Sequence, residues 1–301
     1  MWIALIILAA IAVIYMIILY VVARVSVFPP RVPEFISPGQ LELPQENVDL
    51  KTEDGHRLAA WWVPQDTDLV LICAHGYVMN RCEFVPLAPI LYREGASLLF
   101  FDFRAHGHSD KTKCTIGPTE SQDVRAAIAF AKERKPDAKI VLLGSSMGAA
   151  ACTMAALEVP DDVDGLILDG MYRSLDEAGK GWWLFLGGKA LQRVLGPTIL
   201  FARAMTGVAP KKIRMDLALQ SLSDKPIMII NGTADPIVPM AAAEANQIAG
   251  KAEIEWFEGA GHGNPRFREP ERYNAILVQF LRRFSQGSVG SNATSTATKQ
   301  S

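Results

Sequence analysis

The sequence is poor in the residues that announce metal or redox chemistry, with only four cysteines and five histidines. No two cysteines form a C-x-x-C pair, which leaves out zinc ribbons and dithiol redox motifs. Cys73, Cys82, Cys114 and Cys152 read as free thiols packed as small hydrophobes, a usage that favours a reducing compartment. An excess of positive charge is missing too. Thirty Lys+Arg against 32 Asp+Glu give a net charge of −2, without the basic stripe that phosphate-backbone binding needs, so nucleic acid is excluded as an expected partner. P-loop, dinucleotide fingerprint and metal-ligand spacing are all absent, and neither a cofactor nor a metal is implied.

Charge itself is lacking from Trp2 to Ala23, "WIALIILAAIAVIYMIILYVVA". About 22 apolar residues in a helix span a hydrocarbon core of about 30 Å. A single-pass membrane anchor over residues 1–24 is the reading. A cleaved signal peptide is the alternative, disfavoured by the absent basic n-region and by the length of the run. Arg24 and Arg31 follow the span and no Lys or Arg precedes it, which puts the main domain on the cytoplasmic side. Residues 25–40 include the proline-rich "FPPRVPEFISPGQ", expected to be a stiff linker. The polar tail 286–301 is expected to be disordered.

Between linker and tail, residues 41–285 carry a different rhythm. "NVDLKT" and "RLAAWWVPQ" flank a turn-like "EDGH" and predict an antiparallel hairpin. "LVLICAHG", "ASLLFFDF", "KIVLLGSS", "GLILDG", "PIMIING" and "AEIEWFEG" are short, almost continuous apolar runs. Helical patterns such as "TESQDVRAAIAFAKERK" lie between several of them. Strands apolar on both faces, alternating with helices, predict an α/β fold with a mostly parallel sheet whose chemistry gathers at the strands' carboxyl ends.

The polar residues fall at those ends. In "GSSMG" the G-x-S-x-G frame selects Ser146 rather than Ser145, since it places Gly144 and Gly148 two residues to either side. A serine hydroxyl needs a base to take its proton and a carboxylate to orient that base. Of the five histidines, His262 in "GAGHGN" alone follows the last strand. Asp235 in "NGTADPIVP" is the preferred acid, and Asp169 in "LILDG" is the alternative, with capping of the following segment as its other use. The backbone N–H groups of Met147 and Tyr77 are the expected donors to an oxyanion. His75 is expected to hold loop backbone, and no chemical role is expected of His106 or His108.

The motifs "AHGY", "FDFRAHGHSD", "GSSMG", "NGTADPIVP" and "GAGHGN", in this order, resemble those of the α/β-hydrolase superfamily. Within it the chain looks like the membrane-anchored Bem46-like and ABHD-type serine hydrolases, with likeness to the serine aminopeptidase and monoglyceride-lipase-like branches. The resemblance implies an eight-stranded, mostly parallel sheet flanked by helices. It also implies Ser146 as nucleophile, His262 as base, Asp235 as acid, and Tyr77 and Met147 at the oxyanion hole. Tyr77 is bulky where the Bem46-like group usually carries a small or polar residue.

An insertion at about 171–224 contains "KGWWLFLGGKALQRVLGPTILFARAMTGVAP". It is expected to form a helical cap over the site, with Tyr172, Trp182 and Trp183 as candidate substrate contacts; a pair of ordinary packed helices is the alternative. The expected function is a membrane-anchored serine hydrolase that cleaves carboxylic esters or thioesters, with small-molecule or lipid-like acyl substrates. A peptidase or amidase using the same residues and a non-catalytic membrane scaffold are the alternatives.

Overall fold

The computed structural model describes residues 1–285 and gathers eight short strands into one sheet; the tail 286–301 lies outside the described residues. The strands are β1 (Glu46–Lys51), β2 (Arg57–Val63), β3 (Leu69–Ala74), β4 (Ser97–Phe101), β5 (Lys139–Ser145), β6 (Gly165–Asp169), β7 (Ile227–Gly232) and β8 (Glu253–Phe257). They lie in the order β1-β2-β4-β3-β5-β6-β7-β8. The β1–β2 and β2–β4 pairs are antiparallel, and all others are parallel. Every residue of β3 is buried. Its side chains alternate: Val70, Ile72 and Ala74 join the core on one face, and Leu71 and Cys73 join that on the other. This double burial makes the central strands continuous apolar runs.

One face is covered by α3 (Glu120–Arg134), α4 (Met147–Glu158), α7 (Met215–Gln220) and α8 (Met240–Gly250). The other is covered by α2 (Ala88–Arg93) and α10 (Pro270–Ser285), which follows the four-residue α9 (Pro265–Arg268). On α10, Tyr273, Ile276, Leu277, Phe280 and Leu281 are buried at three- and four-residue spacing, as an amphipathic helix on a sheet requires. All four cysteines are buried and unpaired.

The 171–224 insertion divides in two. α5 (Leu175–Leu195) and α6 (Thr198–Thr206) border the cavity that holds Ser146, at the end of β5, whereas α7 packs with α4 and α8 beside the sheet. α5 is broken at Gly187 and Gly188, which leave the helical region. Only Leu175, Ala178 and Gly181 of α5 are buried, so it is not a core helix.

The apolar amino-terminal run forms α1 (Trp2–Val27), three residues longer at its end than the expected anchor and, of the described helices, the one long and apolar enough to cross a membrane. Most of α1 is exposed; Leu19, Ala23 and Val27 are buried on one stripe. The segment after it is fastened rather than free. Arg31 donates to the carbonyls of Gly107 (2.5 Å) and Ser109 (2.6 Å), and Asn80 Nδ2 donates to those of Val32 and Pro33.

Candidate active site

Parallel strands deliver their carboxyl ends to one edge, and β5 ends there in a forced turn. Ser146 follows β5 with φ 49° and ψ −107°, a strained conformation for a residue with a side chain. Its neighbours make room. A Cβ on Gly144 would lie 2.5 Å from the Ala149 nitrogen, and one on Gly148 would lie 2.1 Å from the Ala74 carbonyl oxygen, so only glycine fits at either place. Ser146 is the N-terminal neighbour of α4 and is partly exposed at the edge of the sheet.

Ser146 Oγ lies 2.9 Å from His262 Nε2, although the two residues are 116 positions apart. His262 Nδ1 lies 2.7 Å from Asp235 Oδ2. The other Asp235 oxygen accepts the N–H groups of Ile237 (2.8 Å) and Val238 (2.9 Å), which fixes the carboxylate in the turn after β7. The Asp235 side chain is 1 % exposed. A carboxylate bonded to Nδ1 puts the imidazole proton there and leaves the Nε2 lone pair facing Ser146. This arrangement has the geometry to draw a proton from the serine.

Asp169, the alternative acid, is turned elsewhere. Its Oδ2 accepts the Tyr273 hydroxyl at 2.9 Å and lies 3.7 Å from Arg266 Nη1. It does not cap α5 either; Ser174 does, accepting the Glu177 N–H. The reason is α10, which carries Tyr273 under the sheet edge and captures the carboxyl. Burial pushes the Asp169 carboxyl above its ordinary pKa, against the pull of Arg266 and Tyr273.

On the other side of Ser146 the loop after β3 runs His75, Gly76, Tyr77. The Gly76 N–H is taken by Glu83 Oε2 at 2.5 Å. The N–H groups of Tyr77 and Met147 have no protein acceptor among the described residues; Met147 follows the serine directly, and Tyr77 borders the same cavity as Ser146. His75 Nε2 accepts the Phe103 N–H at 3.0 Å, so Nδ1 carries the proton and donates to the Gly76 carbonyl at 2.7 Å. His106 Nδ1 donates to the Arg104 carbonyl at 2.9 Å. Both rings pin loop backbone, and burial lowers both to about 4. His108 is exposed, 3.5 Å from Glu34.

A neutral buried histidine has a stability signature. Its folded pKa lies below the unfolded value, so its contribution is present above about 6.5 and is lost as pH falls toward 4. Across that interval a His106→Gln chain should lose less thermal stability than the wild type, by the equivalent of roughly 3 kcal/mol. Melting curves in detergent at pH 7.5 and 4.5 give the comparison; equal losses would remove the buried neutral ring as their source.

Sequence reasoning missed Glu83. It sits seven residues after Gly76, buried, between the Gly76 N–H and Arg266, whose Nη2 donates to Oε1 at 2.5 Å. Burial raises its pKa, but Arg266 and the Gly76 N–H outweigh burial and hold it below the usual range. Glu83 therefore positions the loop that presents the Tyr77 N–H. Glu83→Ala leaves Arg266 with Asp169, 3.7 Å away, as its remaining counter-charge, and loss of one partner of a buried pair costs about 3–5 kcal/mol. The expected drop is roughly 10 °C in a detergent melt; an unchanged melting temperature would remove the pair from the structural account.

The whole opens into a cavity of about 820 Å³, bordered by Tyr77, Ser146, Tyr172, Trp182, Trp183 and His262. It lies within the range of about 300–1,000 Å³ usual for small-molecule sites. Tyr172 is held by its hydroxyl on the Ile116 carbonyl at 2.6 Å, and Trp182 meets the Tyr77 ring edge-on at 5.6 Å. Among the described residues no cluster of His, Cys, Asp and Glu is arranged to hold a metal.

Comparison with known proteins agrees with this architecture. The family model for the α/β-hydrolase fold matches residues 70–190. An uncharacterised Mycobacterium tuberculosis protein is 27 % identical over 247 residues, 79 % of this chain and 78 % of that one. The α/β-hydrolase domain-containing protein WAV2 of Arabidopsis thaliana is 24 % identical over 269 residues, 83 % and 82 % of the two chains. Among solved structures, the Pyrococcus furiosus esterase Pf2001 superposes with a TM-score of 0.72 at 26 % identity, over 86 % of this chain and 98 % of its own. The chain has the α/β-hydrolase fold.

Proposed function

We propose that the protein is a membrane-anchored serine hydrolase that cleaves carboxylic esters or thioesters with long apolar acyl groups. The observation that carries this reading is the hydrogen-bonded series Ser146 Oγ, His262, Asp235 at the edge of a large cavity bordered by aromatic side chains. The similarity to an archaeal esterase supports the reaction class. Membrane attachment is supported by α1, whose length of 26 residues corresponds to about 39 Å. Its last turn holds domain groups, since the Ser26 carbonyl accepts the Tyr77 hydroxyl at 2.9 Å and the Val27 carbonyl accepts the Cys114 N–H at 2.8 Å. That involvement favours a retained anchor over a removed signal. Arg24 and Arg31 favour a cytoplasmic domain.

In this reading Ser146 Oγ attacks the acyl carbonyl carbon while its proton passes to His262 Nε2. Negative charge moves to the carbonyl oxygen, facing the N–H groups of Met147 and Tyr77. The bond to the leaving oxygen or sulfur breaks as His262 returns the proton to it. Water then cleaves the acyl-enzyme by the same route. A fluorophosphonate probe applied to the full-length protein in detergent tests the assignment: the expected product is a single adduct on Ser146, and a folded protein that stays unlabelled would overturn it.

A further inference from the structure

α1 does more than hold the domain near a membrane. Ala23, Ser26 and Val27 border the cavity that contains Ser146, so the anchor's last turn is part of the site's wall. Ala23 and Val27 are 0 % and 2 % exposed on a helix that is otherwise largely bare. The cap follows α1 outward. Tyr20 meets Phe201 of α6 edge-on at 6.2 Å, and the Tyr15 hydroxyl donates to the Val194 carbonyl of α5 at 2.7 Å. Tyr15 precedes Ala23 by two helical turns, about 12 Å along the axis. A groove lined by Ala12, Val13, Met16, Ile17, Tyr20 and Phe201 lies along this contact.

If α1 crosses a bilayer with Arg24 at its boundary, the part of the cap that touches Tyr15 lies inside the hydrocarbon. The cap is dressed for that solvent. Phe185, Leu186, Val194 and Leu200 are 49 %, 51 %, 51 % and 66 % exposed, a grouping of large apolar side chains unusual on a surface facing water. Arg203, two residues past the Phe201 that meets Tyr20, borders the cavity, and its long stem suits headgroup level. These exposed residues continue the apolar surface of α1, which names the occupant of that face as lipid.

We propose that α1 and α6 form a lateral gate: a long acyl chain still resident in the leaflet enters between them, runs past Ala23, and brings its carbonyl to Ser146. This rests on the hydrolase reading above and adds the route and the form of the substrate, an acyl chain presented from the membrane rather than from water. Ala23 has the smallest side chain of the three α1 residues in that wall, so enlarging it obstructs the route. Short esters that fit beside Ser146 do not need it.

The test uses the full-length protein in phosphatidylcholine nanodiscs. Ala23→Phe and, as a milder second obstruction, Ser26→Leu are compared with wild type for turnover of hexadecanoyl and butanoyl p-nitrophenyl esters. The long-to-short ratio should fall at least tenfold in each. In parallel, a hexadecyl fluorophosphonate carrying a diazirine near mid-chain is attached to wild-type Ser146 and photolysed; cross-links should fall on residues 12–23 of α1 and on α6. The second arm does not depend on any variant folding. An unchanged ratio in folded variants, or cross-links confined to α5 and the sheet, overturns the gate while the hydrolase reading stands. Absence of both turnover and probe attachment in the wild type overturns the hydrolase reading and the gate with it.

Discussion

Ser146→Ala should abolish fluorophosphonate labelling and lower ester turnover by a factor of about 10^5 to 10^6, whereas Ser145→Ala should keep both. The two serines are adjacent in sequence and carry the same hydroxyl, so the difference is entirely one of placement. Ser145 is the last residue of β5, 4 % exposed and in register with Asp169. Ser146 has left the strand with a positive φ that swings its side chain toward His262. Without its hydroxyl, His262 has nothing to activate, and only the oxyanion donors and the cavity remain to accelerate attack by water. Because Ser146 stands outside the core, the alanine chain should melt within a few degrees of wild type, which separates lost chemistry from lost folding. Labelling that survives in Ser146→Ala, or vanishes equally in Ser145→Ala, would move the nucleophile elsewhere.

Much of this arrangement was legible because its signals are local. The strand ends are short apolar runs followed by a polar residue, and Gly144 has its steric reason within five residues, at Ala149, although that of Gly148 lies at Ala74 on the neighbouring strand. What was illegible depends on closure. Glu83, Asp169 and the Arg266–Tyr273 stretch come from three distant segments, and only the meeting of the β3 loop and the end of β6 with α9 and α10 makes them one buried group. The role of α1 was hidden by uniformity. Leu19, Ala23 and Val27 form a helical stripe, but most of the helix around them is apolar too, so no periodicity marks the face that meets the cap. The proline-rich segment after α1 has a linker's composition, yet its fastening rests on the hydrogen bonds of Arg31 to carbonyls near residue 108, which composition does not encode.

The same distinction between composition and placement decides between the two acids. Asp235→Asn should lower kcat by roughly 10^4, while Asp169→Asn should change kcat by less than tenfold and lower the melting temperature instead. An asparagine at 235 keeps the shape of the turn and can still accept the N–H groups of Ile237 and Val238 through its oxygen. That leaves its amide nitrogen, a donor, facing His262 Nδ1. The imidazole must then carry its proton on Nε2, the atom that has to receive the Ser146 proton, and the charge that would stabilise the imidazolium is gone. At position 169 the partners are the Tyr273 hydroxyl and Arg266, neither of which touches the serine. Asparagine there weakens a buried polar group without changing the tautomer of His262. Rates with a butanoyl ester at pH 8, read beside detergent melts of both variants, give the answer. A large kcat loss in Asp169→Asn with little loss in Asp235→Asn would transfer the orienting role to β6 and would require His262 to turn away from the partner it has at 2.7 Å.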